Sequence, residues 1–376
     1  MSITTCSKGV WELDQIYAKV NADRYVTYSN ADDPGTLWAW GYNITGELGD
    51  GTVICRSSPV QVPGTQWVNV SGVSQHTIAT KTDKTLWTWG YNNIGQLGDG
   101  TVICRSSPVQ VPGTQWNKIT GGAYHTVATK SDGTLWSWGY NGYGNLGDGT
   151  RTHKSSPVQV PGTQWNQISG GSYHTVASKS DGTLWNWGCN TQGALGDGTT
   201  VHRSSPIQVP GTQWNQITGG DMYTVATKTD GTLWSWGYNI IGQLGDGTVI
   251  AKSSPVQIPG TQWNQIVGGL YNTVATKSDG TLWTWGYNAY GNLGDGTVIP
   301  KSSPIQVPGT QWNKIDAATN YTVAIKTDGT LWSWGYNRFG QLGDGTITCR
   351  SSPIQVPGTQ WNKITGGSYH TVAKKV

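Results

Sequence analysis

The chain is poor in the residues that usually fill protein cores and build reactive scaffolds. In 376 residues it has one Phe and two Met, and charged residues make up only 12%. No run of 18 apolar residues occurs, so no membrane-spanning helix is expected. Cysteine numbers five, odd and sparse, which argues against a disulfide scaffold. A net charge of +3 is too small to announce a nucleic-acid protein. Proline, at 16 residues against 54 glycines, excludes a collagen-like chain. Met1 to Val10 lacks the apolar stretch of a signal peptide, so a cytoplasmic address is the expectation. What the chain has instead is aromatic mass: 22 Trp and 17 Tyr, which argues against disorder.

That mass is periodic. Thr-Leu-Trp recurs with Trp at 38, 87, 136, 185, 234, 283 and 332, and Thr-Gln-Trp with Trp at 67, 116, 165, 214, 263, 312 and 361. Every gap is 49, and the copies run from 36 to 361 without insertion or deletion. A fixed period near 50 signals a solenoid or a propeller. Within a unit the apolar period is two. In Tyr124 to Trp138, two alternating runs flank Ser131-Asp132-Gly133-Thr134, a strong hairpin signal. A second pair, Pro157 to Val160 and Trp165 to Ile168, flanks Pro161-Gly162-Thr163-Gln164 and reads as another hairpin. Each unit is therefore four short antiparallel strands. Seven such sheets predict an all-β, seven-bladed β-propeller, since a linear array gives no reason to stop at seven.

The repeat GGxYHTVAxKxDGTLWxWGYNxxGQLGDGT resembles that of the regulator of chromosome condensation family over residues 31–376. The resemblance implies a seven-bladed propeller. It implies no single function: members exchange nucleotide on a small nuclear GTPase, dock on chromatin, or inhibit β-lactamases.

The Tyr-His-Thr-Val-Ala strand, taken as the inner one, leaves one candidate surplus. The C-terminal copy, Tyr369 to Lys375, is expected to close the ring beside Leu37 to Gly41 by terminal strand exchange. Residues 1–30 then form an extension, a cap or an extra strand; Tyr25 to Ser29 is the competing closing strand.

Groups repeated in every blade are read as structural, because catalysis rarely needs seven copies. The Asp of Gly-Asp-Gly-Thr and of the Asp-Gly-Thr hairpins suits backbone capping. Metal binding is not expected, since the motif supplies one oxygen ligand per copy. Two basic rings, Arg56 and its counterparts before Ser-Ser-Pro and Lys81 and its counterparts before the hairpin, read as solvated positions. The Trp-x-Trp pairs read as core packed between blades. Cys55, Cys104 and Cys349 occupy one repeat position in adjacent blades, too far apart to bond. His76, His125, His174 and His370 share a position with Tyr223, Asn272 and Tyr321, which suggests hydrogen bonding rather than catalysis. No nucleophile motif or phosphate loop is present, so neither an enzyme nor a cofactor is expected.

Two segments vary between copies: the pair after Gly-Tyr-Asn and the residues before the Tyr-His strand. Antiparallel topology puts both on one face. Variable loops carrying costly apolar residues suggest a binding surface. The candidate partner-binding residues are Tyr124, Tyr143, Tyr173, Met222, Ile240, Ile241, Tyr271, Tyr290, Arg338 and Phe339. The expected function is a monomeric, non-enzymatic propeller that binds another protein. A glycan-binding propeller and a nucleotide exchange factor for a small GTPase are the alternatives. Uninterrupted 49-residue units lack the specialised insertions of the exchange member.

Overall fold

The computed structural model describes residues 35–375. The expectations placed on residues 1–30 lie outside the described residues. Twenty-eight strands form seven four-stranded antiparallel sheets. One blade shows the pattern: β7 (Trp116–Gly121), β8 (His125–Lys130), β9 (Leu135–Gly139) and β10 (Lys154–Val160), in that order. Asp132-Gly133 makes the β8–β9 hairpin: Asp132 accepts from the Thr134 N–H at 2.9 Å, and Gly133 takes a φ of +79°. The register pairs Val127 with Ser137 and Ala128 with Trp136.

The chain closes the ring with its C-terminal strand. In the closing blade the order is β2 (Arg56–Gln61), β1 (Thr36–Gly41), β28 (His370–Lys375), β27 (Trp361–Gly366). Thr36 faces Lys375 and Gly41 faces His370 across an unbroken antiparallel ladder.

Two strand assignments change. Pro161-Gly162-Thr163-Gln164 is not a hairpin: β10 ends one blade and β11 (Trp165–Gly170) begins the next. The Pro-Gly signal marks a reversal without stating that its flanks pair. The crossover is tight, with Gln164 held at a φ of +63°. The inner strand is also not the Tyr-His strand. The Thr-Gln-Trp strands β3 (Trp67–Gly72), β7, β11 and their counterparts touch one another around the axis, and β27 meets β3. The Tyr-His strand is second, buried between neighbours in all but its terminal lysine. Glycine permits this closeness: a Cβ on Gly170 would stand 2.5 Å from the backbone of Gly121 in the adjacent blade.

The core lies between blades. Val127, Leu135 and Val160 of one blade pack on Trp165, Ala177 and Trp187 of the next. The two indoles of each Trp-x-Trp pair differ, which corrects the expectation that both are core. Trp138 is 0% exposed and donates its indole N–H to the Gln96 carbonyl of the preceding blade at 3.0 Å. Trp136 is half-buried, with Lys130 Nζ 4.5 Å from its ring centroid and 4.9 Å from that of Trp116. The hairpin lysines are therefore not free solvated charges. Lys81, Lys130, Lys179, Lys228, Lys277 and Lys326 each cap an indole pair, a contact of about 0.5–1 kcal/mol per ring. The other basic ring is paired as well: Arg105 meets Asp99 at 2.8 Å, and five further blades show the same Asp–Arg or Asp–Lys pair.

Two stability predictions arise here. Trp138→Ala should cost about 3–5 kcal/mol as a full core truncation, and Trp136→Ala roughly half as much. Equal denaturation midpoints for the two variants would contradict the division. Lys84 holds a φ of +60° where other blades carry glycine. Lys84→Gly should therefore raise stability by about 1 kcal/mol. A lower midpoint would show that the 3.1 Å bond from Lys84 Nζ to Ser131 outweighs the backbone strain.

Candidate functional site

Both variable segments lie on one face. The β7–β8 turn carries Tyr124, and the loop leaving β9 carries Tyr143. That long loop is pinned by an asparagine. Asn141 accepts from the Leu146 N–H at 2.9 Å and donates to Asp148 at 3.1 Å and to the Thr150 and Thr152 carbonyls at 3.2 Å. The scaffold loop is thus fixed, and the pair after Asn141 rides on it. The invariant turn aspartates and capping lysines sit on the opposite face.

The variable residues form two aromatic clusters. Tyr124 and Tyr173 approach to 5.6 Å between ring centroids, and Tyr143 stands edge-on to Tyr173 at 5.6 Å. Tyr140, His153 and His202 complete this cluster, with His153 4.8 Å from Tyr140 and His202 5.0 Å from Tyr143. The backbone N–H of Asn141 bonds His153 Nδ1 at 2.9 Å, and that of Asn190 bonds His202 Nδ1 at 2.9 Å. Both imidazoles are therefore acceptors at Nδ1. Desolvation, with Arg151 nearby, lowers the His202 pKa.

The second cluster runs from Tyr271 through Tyr287 and Tyr290 to Tyr336, Phe339, Tyr369 and Tyr42. Phe339 lies 5.1 Å from Tyr42 and 5.5 Å from Tyr369. Burial pushes the phenols of Tyr173 and Tyr271 up from their usual value. The remaining candidates are not aromatic, and Arg338 acts electrostatically on Tyr336 of the second cluster. Ile240 is 60% exposed, Ile241 is half-buried, Arg338 is exposed, and Met222 Sδ lies 3.8 Å from the Thr191 hydroxyl.

Sequence reasoning missed the tyrosines of the Gly-Tyr-Asn motif. Tyr42, Tyr140, Tyr287 and Tyr336 are not among the candidates, yet they bridge the variable rings. It also missed a rim of exposed aliphatic pairs after Gly-Asp-Gly-Thr, such as Val53-Ile54 and Val298-Ile299. The histidine set behaves as expected. His125 Nε2 lies 2.9 Å from Thr175 Oγ1 of the next blade, and His76, His174 and His370 make the same inter-blade bond.

A family model for the RCC1-like domain matches residues 7–247 and 165–373, which together take in nearly all seven units. The chain belongs to the RCC1-like domain family. Its blades superpose on solved propellers at low identity. Yeast RCC1 (Prp20), in a structure bound to Kap60, gives a TM-score of 0.82 at 19% identity, covering 100% of this chain and 94% of that one. Prp20p from Saccharomyces cerevisiae, in a structure reported with its binding to Gsp1p and histones, gives 0.81 at 19%, covering 99% and 96%. Human WBSCR16 gives 0.81 at 20%, covering 91% and 98%. No curated protein matches the sequence significantly. These likenesses bear on the fold of this RCC1-like propeller; its face is its own. Among the described residues no helix is long and apolar enough to cross a membrane.

Proposed function

We propose that this chain is a non-enzymatic interaction propeller that grips a protein partner through its variable face. The observation that carries the reading is the convergence of the variable loops into two aromatic clusters on one side of the disc. Tyrosine is enriched at interfaces because its rigid ring buries area at low entropic cost. Prp20 is solved bound to Kap60 and is reported with binding to Gsp1p and histones, which is consistent with a protein ligand on this fold. A glycan reading would need accessible indoles, and those of the Trp-x-Trp strands are buried or capped by lysine. Nucleotide exchange remains a separate reading, tested directly by stimulated GDP release from a small GTPase.

The test begins with a pull-down by the intact protein, followed by titration of the recovered partner. Tyr143→Ala with Tyr173→Ala should weaken binding at least tenfold, about 1.4 kcal/mol or more, with little change in melting temperature. Lys130→Ala with Lys179→Ala, on the opposite face, should lower stability slightly and leave affinity unchanged. The reverse outcome, with steep salt dependence, would move the site to the lysine face and favour a polyanionic partner.

A further inference from the structure

On the variable face the axial channel opens as a funnel of about 200 Å³, walled by small residues from all seven blades. Among the described residues its only charged wall residues are Asp221 and Asp316, and no lysine, arginine or histidine lines it. Neither acid is required by the architecture. The position of Asp316 is a hydroxyl in most blades, and that hydroxyl stitches the ring. Thr365 accepts from the Gly72 N–H of the next blade at 2.7 Å, and Thr218 accepts from Gly268 at 2.9 Å. Asp316 makes the same stitch, accepting from Gly366 at 2.8 Å. A threonine would do this without bringing a charge into the ring.

Asp221 likewise replaces small or apolar residues of other copies, and the donors to its carboxylate are the neutral hydroxyls of Ser172 and Tyr271. Burial pushes both carboxyls up, Asp316 to about 6, and no cation offsets it.

A second, independent feature stands between them. The blade separating the two acids carries Asn272 where every other blade has a His or Tyr ring. Asn272 is 1% exposed, and neither its Oδ1 nor its Nδ2 has a hydrogen-bond partner. It stands directly behind the funnel wall: a Cβ on Gly269 would lie 2.5 Å from Asn272 Oδ1. Two carboxylates without a counter-cation therefore line one arc of the mouth, and an unsatisfied carboxamide stands just behind the Gly269 wall between them. Burying such groups unpaired is costly, and a ligand that supplies positive charge and several N–H donors repays it. A volume of about 200 Å³ suits one side-chain head rather than a folded element. A guanidinium, with five donors in a planar fork, fits an acceptor-rich arc better than an ammonium.

We propose that the channel mouth is a receptor for a single arginine side chain presented by the protein partner, held by Asp221 and Asp316, with the unsatisfied Asn272 carboxamide behind Gly269 adding acceptor character to the same arc. The proposal rests on the partner-binding face assigned above and names what that partner must carry. Tyr271, bonded to Asp221, links the funnel to the larger aromatic cluster, so an arginine flanked by apolar residues would engage both.

The test uses the full chain and a small probe, so that it does not depend on finding the partner. Backbone amide resonances are followed while Nα-acetyl-arginine methylamide is added, with the neutral citrulline analogue as isostere. The arginine probe should shift the Gly366, Ala317 and Leu270 amides saturably at millimolar concentration, about tenfold more tightly than citrulline. Asp221→Asn, checked for an unchanged melting temperature, should weaken the arginine probe about fivefold or more. Equal responses to the two probes, no response, or an unaltered response in Asp221→Asn would each overturn the proposal. Tighter binding of the lysine analogue, or of magnesium or calcium ions, would overturn the arginine assignment. Failure here with the Tyr143 and Tyr173 effect intact removes the receptor site alone. Saturable arginine binding without that tyrosine effect instead removes the face reading.

Discussion

Lowering the pH from 7 to 5 is expected to destabilise the propeller by several kcal/mol, through four histidines inside the ring. His76, His125, His174 and His370 are at most 1% exposed. Burial depresses His76 and His125 to about 3 and His174 and His370 to about 4, against an ordinary 6.5. The bonding shows why. Thr175 Oγ1 donates to the Asn145 carbonyl at 2.8 Å, so it accepts from His125, which must carry its proton on Nε2. Protonation would add an N–H at Nδ1, which has no partner.

Because the folded values lie below the unfolded one, the stabilisation is complete above pH 6.5 and is lost as pH falls toward the folded values. Each histidine loses about 1.4 kcal/mol per pH unit in that window, about 2 by pH 5, so four lose on the order of 8 before any offset. Asp316, raised to about 6, acts in the opposite sense between 6 and its unfolded value of 3.8, but it is one group against four. Raised Asp221 and Glu47 soften the loss further. A typical stability of about 5–15 kcal/mol would not survive much below pH 5. Urea midpoints at pH 7 and pH 5 measure the effect, and unchanged midpoints would refute it. His125→Tyr, which copies the residue of two other blades, should keep most of the stability at pH 7 and flatten the acid loss by about a quarter.

The period of 49 made the architecture legible because each blade repeats its hairpin, its Trp-x-Trp strand and its loop without interruption. The closing strand was also readable, since Tyr369 to Lys375 copies an internal strand whose usual partner, Leu37 to Gly41, lacks one in sequence order. Topological order within the repeat was less accessible. Pro161-Gly162 and Asp132-Gly133 are both turn signals, yet one joins blades and the other joins strands; only packing separates them. The same gap hid the funnel. Asp316 reads as a stray acid until Thr-Gln-Trp is known to begin the inner strand. It then breaks a column of hydroxyls facing the axis. The lysines were misread because charge alone suggests solvent. The Trp on each side of Lys130, one on the neighbouring strand and one across the hairpin, meet it only in the folded sheet.

Removing residues 369–376 is expected to unfold the chain or cost most of its stability. β28 is the only described strand that joins β1 to β27, and the whole closing blade hangs on that ladder. Its loss opens two inter-blade cores at once. Val372 packs with Leu37, Trp67 and Trp89, and Ala373 packs with Trp40 and Trp361. It also removes Thr371, which donates to the Gln341 carbonyl at 2.8 Å, and His370, which bonds Thr77 at 3.1 Å across the last seam. A propeller with an open ring exposes strand edges and apolar blade faces on both sides of the gap, so aggregation is the expected companion of lost stability. A synthetic peptide of residues 367–376, added to the truncated chain at micromolar concentration, should restore the native melting transition if strand pairing is what was lost. Cooperative unfolding of the truncated chain at the full-length temperature would show that the closing blade holds without its second strand. Failure of the peptide, despite a soluble truncated chain, would show that closure needs the covalent link from β27.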